Sequence, residues 1–219
     1  MSDLLWNLLF GLPDQRPGGL LLSVVSAVAA GVAAVLIGLV YATVCVARPA
    51  ISLCLQAPLA ILRGTPLLLL IFALAQVTGL PLVLTGFLAL TLYSLSHVGE
   101  TLRSYLAAYP RRLREQARVL TLSPAREWLR LRVPWTFRRS VDALGTHWVS
   151  LLKDTGALTI LGIGELTTVA RMLGEHATTS RWALVLGTAS ALYLAAVLVL
   201  MRLLAFLKVR LTGREAQLT

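Results

Sequence analysis

The chain has 219 residues, of which 57% are hydrophobic and only 14% are charged, and its formal net charge is +10. An ordinary soluble domain has about 25% charged residues, so this composition excludes a typical soluble protein and indicates an integral membrane protein. The basic residues lie between apolar stretches, as they do in loops that set membrane topology. The positive charge therefore does not point to nucleic acid, and no nucleic-acid partner is expected.

Residues 1–10 contain four leucines and Trp6 but no Lys or Arg. A cleavable signal peptide has a basic region before its apolar region, so we expect instead a short segment that lies on the bilayer surface. Prolines and glycines over residues 13–19 then interrupt the chain. The stretch from Leu20 to Val46 carries no charge. Because a membrane span needs about 20 residues, this stretch is predicted to form the first transmembrane helix.

The next two spans lie in a long uncharged segment between Gly64 and Gly99. As one helix it would be about 54 Å long, which exceeds the ~30 Å hydrocarbon core. The turn signal Gly79-Leu80-Pro81 divides it. We therefore predict a second helix from about Ala57 to Thr78 and a third from about Leu84 to Leu106.

Two further apolar stretches complete the chain. The fourth predicted span covers about Ser140 to Ile163 and contains Lys153 and Asp154, and the fifth covers Trp182 to Met201. The fifth span has small residues at four-residue intervals, which favour close helix packing in membranes. The sequence is thus predicted to be an all-α integral membrane protein with about five transmembrane helices in a single domain over residues 1–219.

The distribution of basic residues predicts the orientation of the spans. With the N-terminus outside, only Arg16, Arg171 and Arg181 among the loop residues with basic side chains lie outside. Because positive residues remain on the cytoplasmic side, we predict an N-out, C-in topology. The arginine-rich segment over residues 107–138 then forms a cytoplasmic loop.

This central loop has its own helical pattern. Pro110 is suited to begin a helix, and Ser123-Pro124 to begin a second one as its N-cap and first residue. Pro134 is expected to end the second helix. The periodicity leaves two roles open, because a basic amphipathic helix can lie on anionic lipid or dock into a protein partner. The apolar stripe of the first helix comprises Leu113, Ala117 and Leu120.

The loop resembles the EAA loop of ABC importer permeases, which has the pattern E-A-A-x3-G-x9-I-x-L-P. Glu115-Gln116-Ala117 stands at its start, and Leu131, Val133 and Pro134 occupy the I, L and P positions at the same distances. The chain departs from the pattern at the second position, which is Gln116, and at the glycine position, which is Thr121.

Three further motifs are similar to those of the polar amino-acid branch of this family. Arg63-Gly64-Thr65-Pro66 resembles its R-G-T-P segment, and Glu100 with Arg103 resembles its E-x-x-R. The stretch Leu151 to Thr155 resembles its L-L-K-[DN]-[ST] segment. The resemblance covers about Leu20 to Lys208, with the motifs in the family's order.

The resemblance implies a mechanism and a set of partners. In this family the coupling loop docks into a separate ABC ATPase subunit, which binds ATP and Mg, and a second permease subunit, sister or identical, completes the channel. A periplasmic or lipid-anchored binding protein delivers the amino acid to the bacterial inner membrane, and ATP drives alternating access. The candidate coupling residues are Arg111, Arg114, Glu115, Ala117, Arg118, Thr121, Leu122, Ser123 and Pro134.

The chain itself is predicted to be neither an enzyme nor a cofactor-binding protein. A phosphate-binding loop needs Gly-Lys-Ser/Thr, but both lysines, Lys153 and Lys208, follow a leucine. The histidines His97, His147 and His176 show no spacing typical of metal ligands.

Charged residues inside the predicted spans are candidates for the translocation path or its gate, because such residues are costly in lipid. Glu100 and Arg103 lie one helical turn apart and are expected to pair, most simply as an anchor for the loop. Lys153 and Asp154, next to Thr155, are adjacent and point in different directions. They either pair with neighbouring helices or contact the zwitterionic group of an amino acid.

The sequence leaves two functions as alternatives to the permease. Threonine disfavours the positive φ that a glycine allows in the turn at Thr121, which suggests an altered turn and a non-identical permease pair. The same departure would fit a membrane scaffold that assembles with an ATPase without transport. A secondary transporter would have more spans and an internal repeat. Basic, acidic and neutral amino acids all fit the sequence.

Overall fold

The computed structural model describes residues 2–175 and 178–212, without the side chains of residues 15, 211 and 212. Within these ranges the chain is almost entirely helical and contains no β-strand, which confirms the all-α prediction. The helices are α1 (Ser2–Phe10), α2 (Gly19–Ala47), α3 (Pro49–Gly64), α4 (Leu67–Thr78), α5 (Leu82–Ala107), α6 (Arg111–Val119), α7 (Pro124–Glu127), α8 (Val133–Asp154), α9 (Leu166–Glu175) and α10 (Thr179–Thr212).

The centre of the bundle is the packing of α2 against α5, the most extensive helix pair among the described residues. The small residues Ala27, Gly31, Ala34 and Gly38 on α2 are all buried. At Gly38, a Cβ atom would lie 3.1 Å from the Cα of Gly99 on α5. Because neither glycine has a side chain, the two backbones approach closely at this crossing, as expected for small residues in membrane helices.

The prediction of one continuous second helix is wrong, because the segment is divided into α3 and α4. The two helices meet at an angle of 108°. Thr65, between them, is extended with φ −85° and ψ 124°. The residue before a proline is driven out of the helical region by the proline ring, so Pro66 ends α3 and caps α4.

Three described helices, α2, α5 and α10, are long and apolar enough to cross a membrane, and the bent pair α3–α4 raises this number to four if it forms one span. The predicted fourth span does not meet this measure, because α8 carries charges along much of its length, from Arg138 to Asp154. The count of five spans and the N-out, C-in orientation stay predictions.

The helix that follows the coupling loop is longer than predicted. Pro134 was expected to end a short helix, but α7 continues through a π-helical turn at Trp128–Arg132 into α8. The N–H of Val133 donates to the carbonyl of Trp128, five residues back. A proline in a regular α-helix clashes with the carbonyl four residues before it, and the wider π-turn relieves that clash. The predicted span to Ile163 also ends early, because α8 gives way to a 3₁₀-helix at Thr155–Leu161.

The last helix, α10, is also longer than the predicted Trp182 to Met201. Two residues of its small-residue face, Gly187 and Ala191, are exposed, and among the described residues a Cβ at Gly187 would meet no atom within 4 Å. The small residues on α2 are thus buried inside the bundle, whereas those on α10 lie on its surface.

A fully buried carboxylate, that of Glu165, joins three helices at one end of the bundle. It accepts hydrogen bonds from the N–H groups of Thr167 at 2.9 Å and Thr168 at 2.8 Å, so it caps the first turn of α9. The hydroxyl of Ser23 on α2 donates to it at 3.3 Å, and that of Tyr193 on α10 donates at 3.0 Å. The carboxylate therefore fixes α9 relative to both neighbours.

Candidate translocation groove and coupling loop

A polar cavity of about 420 Å³ lies between α5 and α8, beside the end of α3. A polar cavity between membrane helices is a candidate functional site, because unpaired polar groups are costly away from water. We call it the translocation groove. Its polar lining consists of Arg63, His97, Glu100, Thr101, Ser104, Thr146, His147 and Ser150.

Glu100 and Arg103 form the ion pair that the sequence predicts. The Arg103 Nε donates to the Glu100 Oε2 at 2.8 Å, and Nη2 pairs with the other carboxylate oxygen. The Tyr41 hydroxyl on α2 donates to the same carboxylate at 3.4 Å. The bond to Tyr41 joins the last turns of α5 to α2. The Glu100 side chain also lines the groove.

Sequence reasoning missed two histidines that meet across the groove. The rings of His97 on α5 and His147 on α8 stack with their centroids 5.4 Å apart and an angle of 17° between planes. The Ser94 hydroxyl lies 2.8 Å from the His147 Nε2. The signal available in the sequence was position, since His97 stands one turn before Glu100 on the same predicted span. The third histidine, His176, lies outside the described residues.

The predicted gate residues at the end of α8 separate in the structure. Lys153 is exposed, whereas Asp154 is half-buried and close enough to His97 and Tyr93 to interact with them electrostatically. Among the described residues, the Asp154 carboxylate forms no salt bridge within 4.0 Å. Thr155 does not line the groove, because it is fully buried and its hydroxyl donates to the carbonyl of Leu152 at 2.7 Å.

The coupling loop projects from the bundle, and α6 makes only sparse contacts with other described helices. Its tip exposes two large apolar residues, Val119 at 83% and Leu120 at 67%. Exposed apolar residues at the end of a basic helix are typical of a surface that another protein covers. Of the predicted coupling residues, Arg111, Glu115, Arg118, Thr121 and Ser123 are exposed, Arg114, Leu122 and Pro134 are half-buried, and Ala117 is buried.

The turn after α6 keeps the conformation of a glycine turn although it contains a threonine. Thr121 has φ +50°, and it is the only described non-glycine residue with a positive φ. The N–H of Leu122 donates to the carbonyl of Ala117 at 3.1 Å, and that of Thr121 donates to Arg118 at 2.9 Å. These two bonds form a Schellman motif, in which glycine is usual at this position. The expected alteration of the turn is therefore wrong, because the two bonds hold the threonine in a strained conformation.

Replacing Thr121 with glycine is expected to stabilise this turn by about 1 kcal/mol, because glycine adopts positive φ without a Cβ clash. Amide hydrogen exchange in detergent measures the effect, and the protection of the Leu122 N–H should increase about fivefold. Ser123→Gly is the matched control, since Ser123 is extended at φ −63° and ψ 149° and glycine is nearly as good at an N-cap. Equal or lower protection in Thr121→Gly would contradict the assignment of strain.

Comparison with known proteins relates this arrangement to a family. No family model matches the chain. It is 30% identical over 162 residues to the probable amino-acid ABC transporter permease protein y4tG of Sinorhizobium fredii, covering 72% of this chain and 69% of that protein. It is also 30% identical over 166 residues to the probable glutamine ABC transporter permease protein GlnP of Bacillus subtilis, covering 72% and 76%.

A shorter match and two solved structures extend the comparison. The arginine ABC transporter permease protein ArtQ of Haemophilus influenzae is 30% identical over 114 residues, which is 52% of this chain and 51% of that protein. The fold is similar to that of an amino acid ABC transporter crystallised with histidines, with a TM-score of 0.76, 23% identity and coverage of 95% and 94%. It is also similar to the inward-facing MetNI methionine ABC transporter, with a TM-score of 0.79, 17% identity and coverage of 97% and 99%.

The chain is a helical bundle with apolar helices, a polar groove between α5 and α8 and a basic loop, and its fold matches that of ABC transporter membrane subunits. The identity and coverage of the relatives show more, namely that the chain belongs to the permease proteins of amino-acid ABC transporters. It is accordingly the multi-pass transmembrane channel subunit of an importer, and permease subunits of this kind are not themselves ATPases.

Proposed function

We propose that this chain moves polar amino acids across the bacterial inner membrane into the cytoplasm by alternating access, with its N-terminus outside and its C-terminus inside. The observation that carries the proposal is the polar groove between α5 and α8, with the half-buried carboxylate of Asp154 close enough to His97 in its lining to interact electrostatically. Amino acids are zwitterions, so a passage for them needs charged and hydrogen-bonding groups where the rest of the bundle is apolar.

The coupling loop supports a separate ATPase subunit as the partner. Val119 and Leu120 are exposed at the end of α6, a helix that also exposes Arg111, Arg112 and Arg118. Exposed apolar residues at the end of a basic helix support a surface that a partner protein covers. The ATPase would bind ATP and Mg, and this chain would hold neither. A second permease subunit, sister or identical, and a periplasmic or lipid-anchored binding protein complete the proposed complex.

The structure favours transport over the scaffold alternative. That alternative rested on a degenerate turn at Thr121, but the turn has the hydrogen bonds and the φ angle of its glycine counterpart. The same finding removes the argument from turn geometry for a non-identical permease pair.

The test is transport by the purified complex. This chain, its ATPase and any sister permease are reconstituted into proteoliposomes, and ATP hydrolysis and amino-acid uptake are measured with a binding protein loaded with different amino acids. Uptake of one loaded amino acid that depends on ATP is expected. Assembly with an ATPase whose activity no loaded binding protein changes would favour the scaffold, and failure to bind any ATPase would exclude the proposed coupling.

Within this assay, Asp154→Asn is expected to lower uptake about tenfold or more, because a charge-assisted hydrogen bond contributes roughly 1.5–3 kcal/mol. The matched control is Asp142→Asn on the same helix. Asp142 pairs with Lys208 at 2.8 Å on an exposed surface away from the groove, so its loss should change uptake little. Normal uptake by Asp154→Asn would exclude contact between Asp154 and the amino acid.

A further inference from the structure

The coupling helix α6 contacts the rest of the bundle at few positions, and Ala117 is its buried residue. Few residues of α6 approach other described helices, yet Tyr109, two residues before the helix begins, is only 4% exposed. Because Tyr109 is buried just before α6 begins, we expect it to help hold the start of this helix against the bundle. Tyr109 is not among the predicted coupling residues.

The Tyr109 ring lies between two side chains of the helix that leads to the groove. The guanidinium carbon of Arg132 is 5.4 Å from its centroid, within the range of a cation–π contact. The ring of Trp135 meets it edge-on, with centroids 5.5 Å apart and an angle of 87°. Arg132 is itself held by Glu127, with Nε to Oε1 at 2.8 Å. We call Tyr109, Glu127, Arg132 and Trp135 the aromatic clamp.

The contacts of Tyr109 involve its ring and not its hydroxyl. The hydroxyl oxygen is buried and has no hydrogen-bond partner among the described residues. Burial, with a contribution from Glu127, raises the pKa of this hydroxyl above its usual value, so the group stays neutral at physiological pH. The ring alone therefore connects the start of α6 to Arg132 and Trp135.

The clamp is connected to the translocation groove by one helix, α8. Arg132 lies in the π-turn and Trp135 in the first turn of α8, and the helix runs without a break to Asp154. The distance along the helix from Trp135 to Asp154 is about 28 Å. His147, which stacks on His97, lies on the same stretch. A displacement of α6 that is passed to Trp135 would therefore reach the groove through one rigid element.

We infer that Tyr109 is a positioning residue that passes movement of the coupling helix to α8 through Arg132 and Trp135. The inference rests on the proposed function, since it assumes that an ATPase moves α6. Tyr109 touches neither ATP nor the amino acid. Its ring keeps α6 and α8 in one orientation, so that ATP hydrolysis and opening of the groove occur together.

The test measures amino acid transported per ATP hydrolysed by the complete complex in proteoliposomes. Tyr109→Leu is expected to lower this ratio about fivefold, because it removes both ring contacts. Hydrolysis of ATP should continue, and its KM for ATP should not change. Tyr109→Phe should match the unchanged protein, since the hydroxyl makes no hydrogen bond. Tyr105→Leu, one turn earlier on α5 at a half-exposed position, is the control.

A second variant keeps the test decisive if Tyr109→Leu does not assemble. Arg132→Met retains much of the side-chain length but removes the cation, and it should lower the same ratio. Amide exchange over residues 111–119 should be faster in Tyr109→Leu and Arg132→Met but not in Tyr109→Phe. Both effects are expected to be less than additive when the two changes are combined, because they remove one shared contact.

The outcomes separate the inference from the proposed function. If the unchanged complex couples uptake to ATP and both Tyr109→Leu and Arg132→Met couple equally well, the inference is wrong while the proposed function stands. If Tyr109→Phe loses coupling to the same extent as Tyr109→Leu, the ring contacts are not what positions α6, and the inference is again wrong. If the unchanged complex shows no uptake driven by ATP, the proposed function fails and the inference fails with it.

Discussion

Replacing Glu165 with leucine is expected to destabilise the protein by about 3 kcal/mol or more, since each buried donor that loses its partner costs about 1–3 kcal/mol. The N–H groups of Thr167 and Thr168 would be left without an acceptor, and the hydroxyls of Ser23 and Tyr193 would lose one of their hydrogen bonds. The change should lower the midpoint of thermal unfolding in detergent. It should also reduce the yield of assembled complex.

Two further variants define the origin of this effect. Glu165→Gln keeps an oxygen acceptor but turns one oxygen into a donor that faces other donors, so a smaller loss of about 1–2 kcal/mol is expected. Glu175→Gln is the control, because Glu175 is about half exposed in its pair with Arg171 and such pairs contribute little. If Glu165→Leu unfolds at the same temperature as Glu175→Gln, the buried network does not hold α9.

Replacing Gly38 with leucine should have the second large effect, a loss of about 3 kcal/mol. Even a Cβ at this position lies 3.1 Å from the Cα of Gly99, and backbone cannot move aside as a side chain can. Because α2 and α5 form the most extensive packing in the described bundle, separating them would also displace the groove. Unfolding in detergent and ATP-driven uptake are the two measurements.

The matched control for this prediction is Gly187→Leu. Gly187 also lies within a long apolar helix, but a Cβ there meets no atom within 4 Å. Leucine forms helices better than glycine by about 1 kcal/mol, so the isolated chain should be unchanged or slightly more stable. Equal stability of Gly38→Leu and Gly187→Leu would show that the α2–α5 contact is not close-packed.

Reduced assembly of Gly187→Leu with a permease partner would not contradict the packing argument. The exposed small-residue face of α10 lies outside the bundle of this chain, and close helix packing between subunits also uses small residues. Stability of the isolated chain and yield of the complex must therefore be measured separately.

The elements that sequence patterns predicted well are those in which local composition decides the structure. α2 at Gly19–Ala47 and α5 at Leu82–Ala107 match the predicted spans to within a few residues. α2 is uncharged throughout and α5 is uncharged up to Glu100, and such an apolar stretch satisfies its backbone hydrogen bonds in lipid by forming a helix. The pairing of Glu100 with Arg103 was also predictable, because residues three apart are neighbours on any helix.

The predictions that failed depended on backbone geometry at prolines. Pro66 divided a span that hydropathy predicted as continuous, whereas Pro134 did not end the helix that it was expected to end. The difference is that the chain at Pro134 adopts a π-turn, which accommodates the ring, and the chain at Thr65 becomes extended. Proline chemistry is the same at both sites, so the neighbouring packing selects the outcome.

The candidate site was only partly visible in the sequence. The charges near the end of α8 stood out because they interrupt an apolar run, and their role in a gate stays a prediction, as does that of Thr155, which is buried and does not line the groove. The stacked histidines were missed. His97 and His147 are 50 residues apart in the chain and meet only when α5 packs against α8. A pattern along one helix cannot report such a contact, because it contains no information about which helix lies opposite.

The sequence by itself determined that this protein is helical and membrane-embedded and that a basic loop with a family motif divides its spans. These properties follow from hydropathy, charge and short-range spacing, which act within a few residues of one another. The tertiary structure decided which polar residues share the groove, how the ring of Tyr109 contacts α8, and which groups bond to Glu165. The Ser23 hydroxyl reaches Glu165 across 142 positions of the chain, and only close packing of distant helices brings such groups within hydrogen-bond distance.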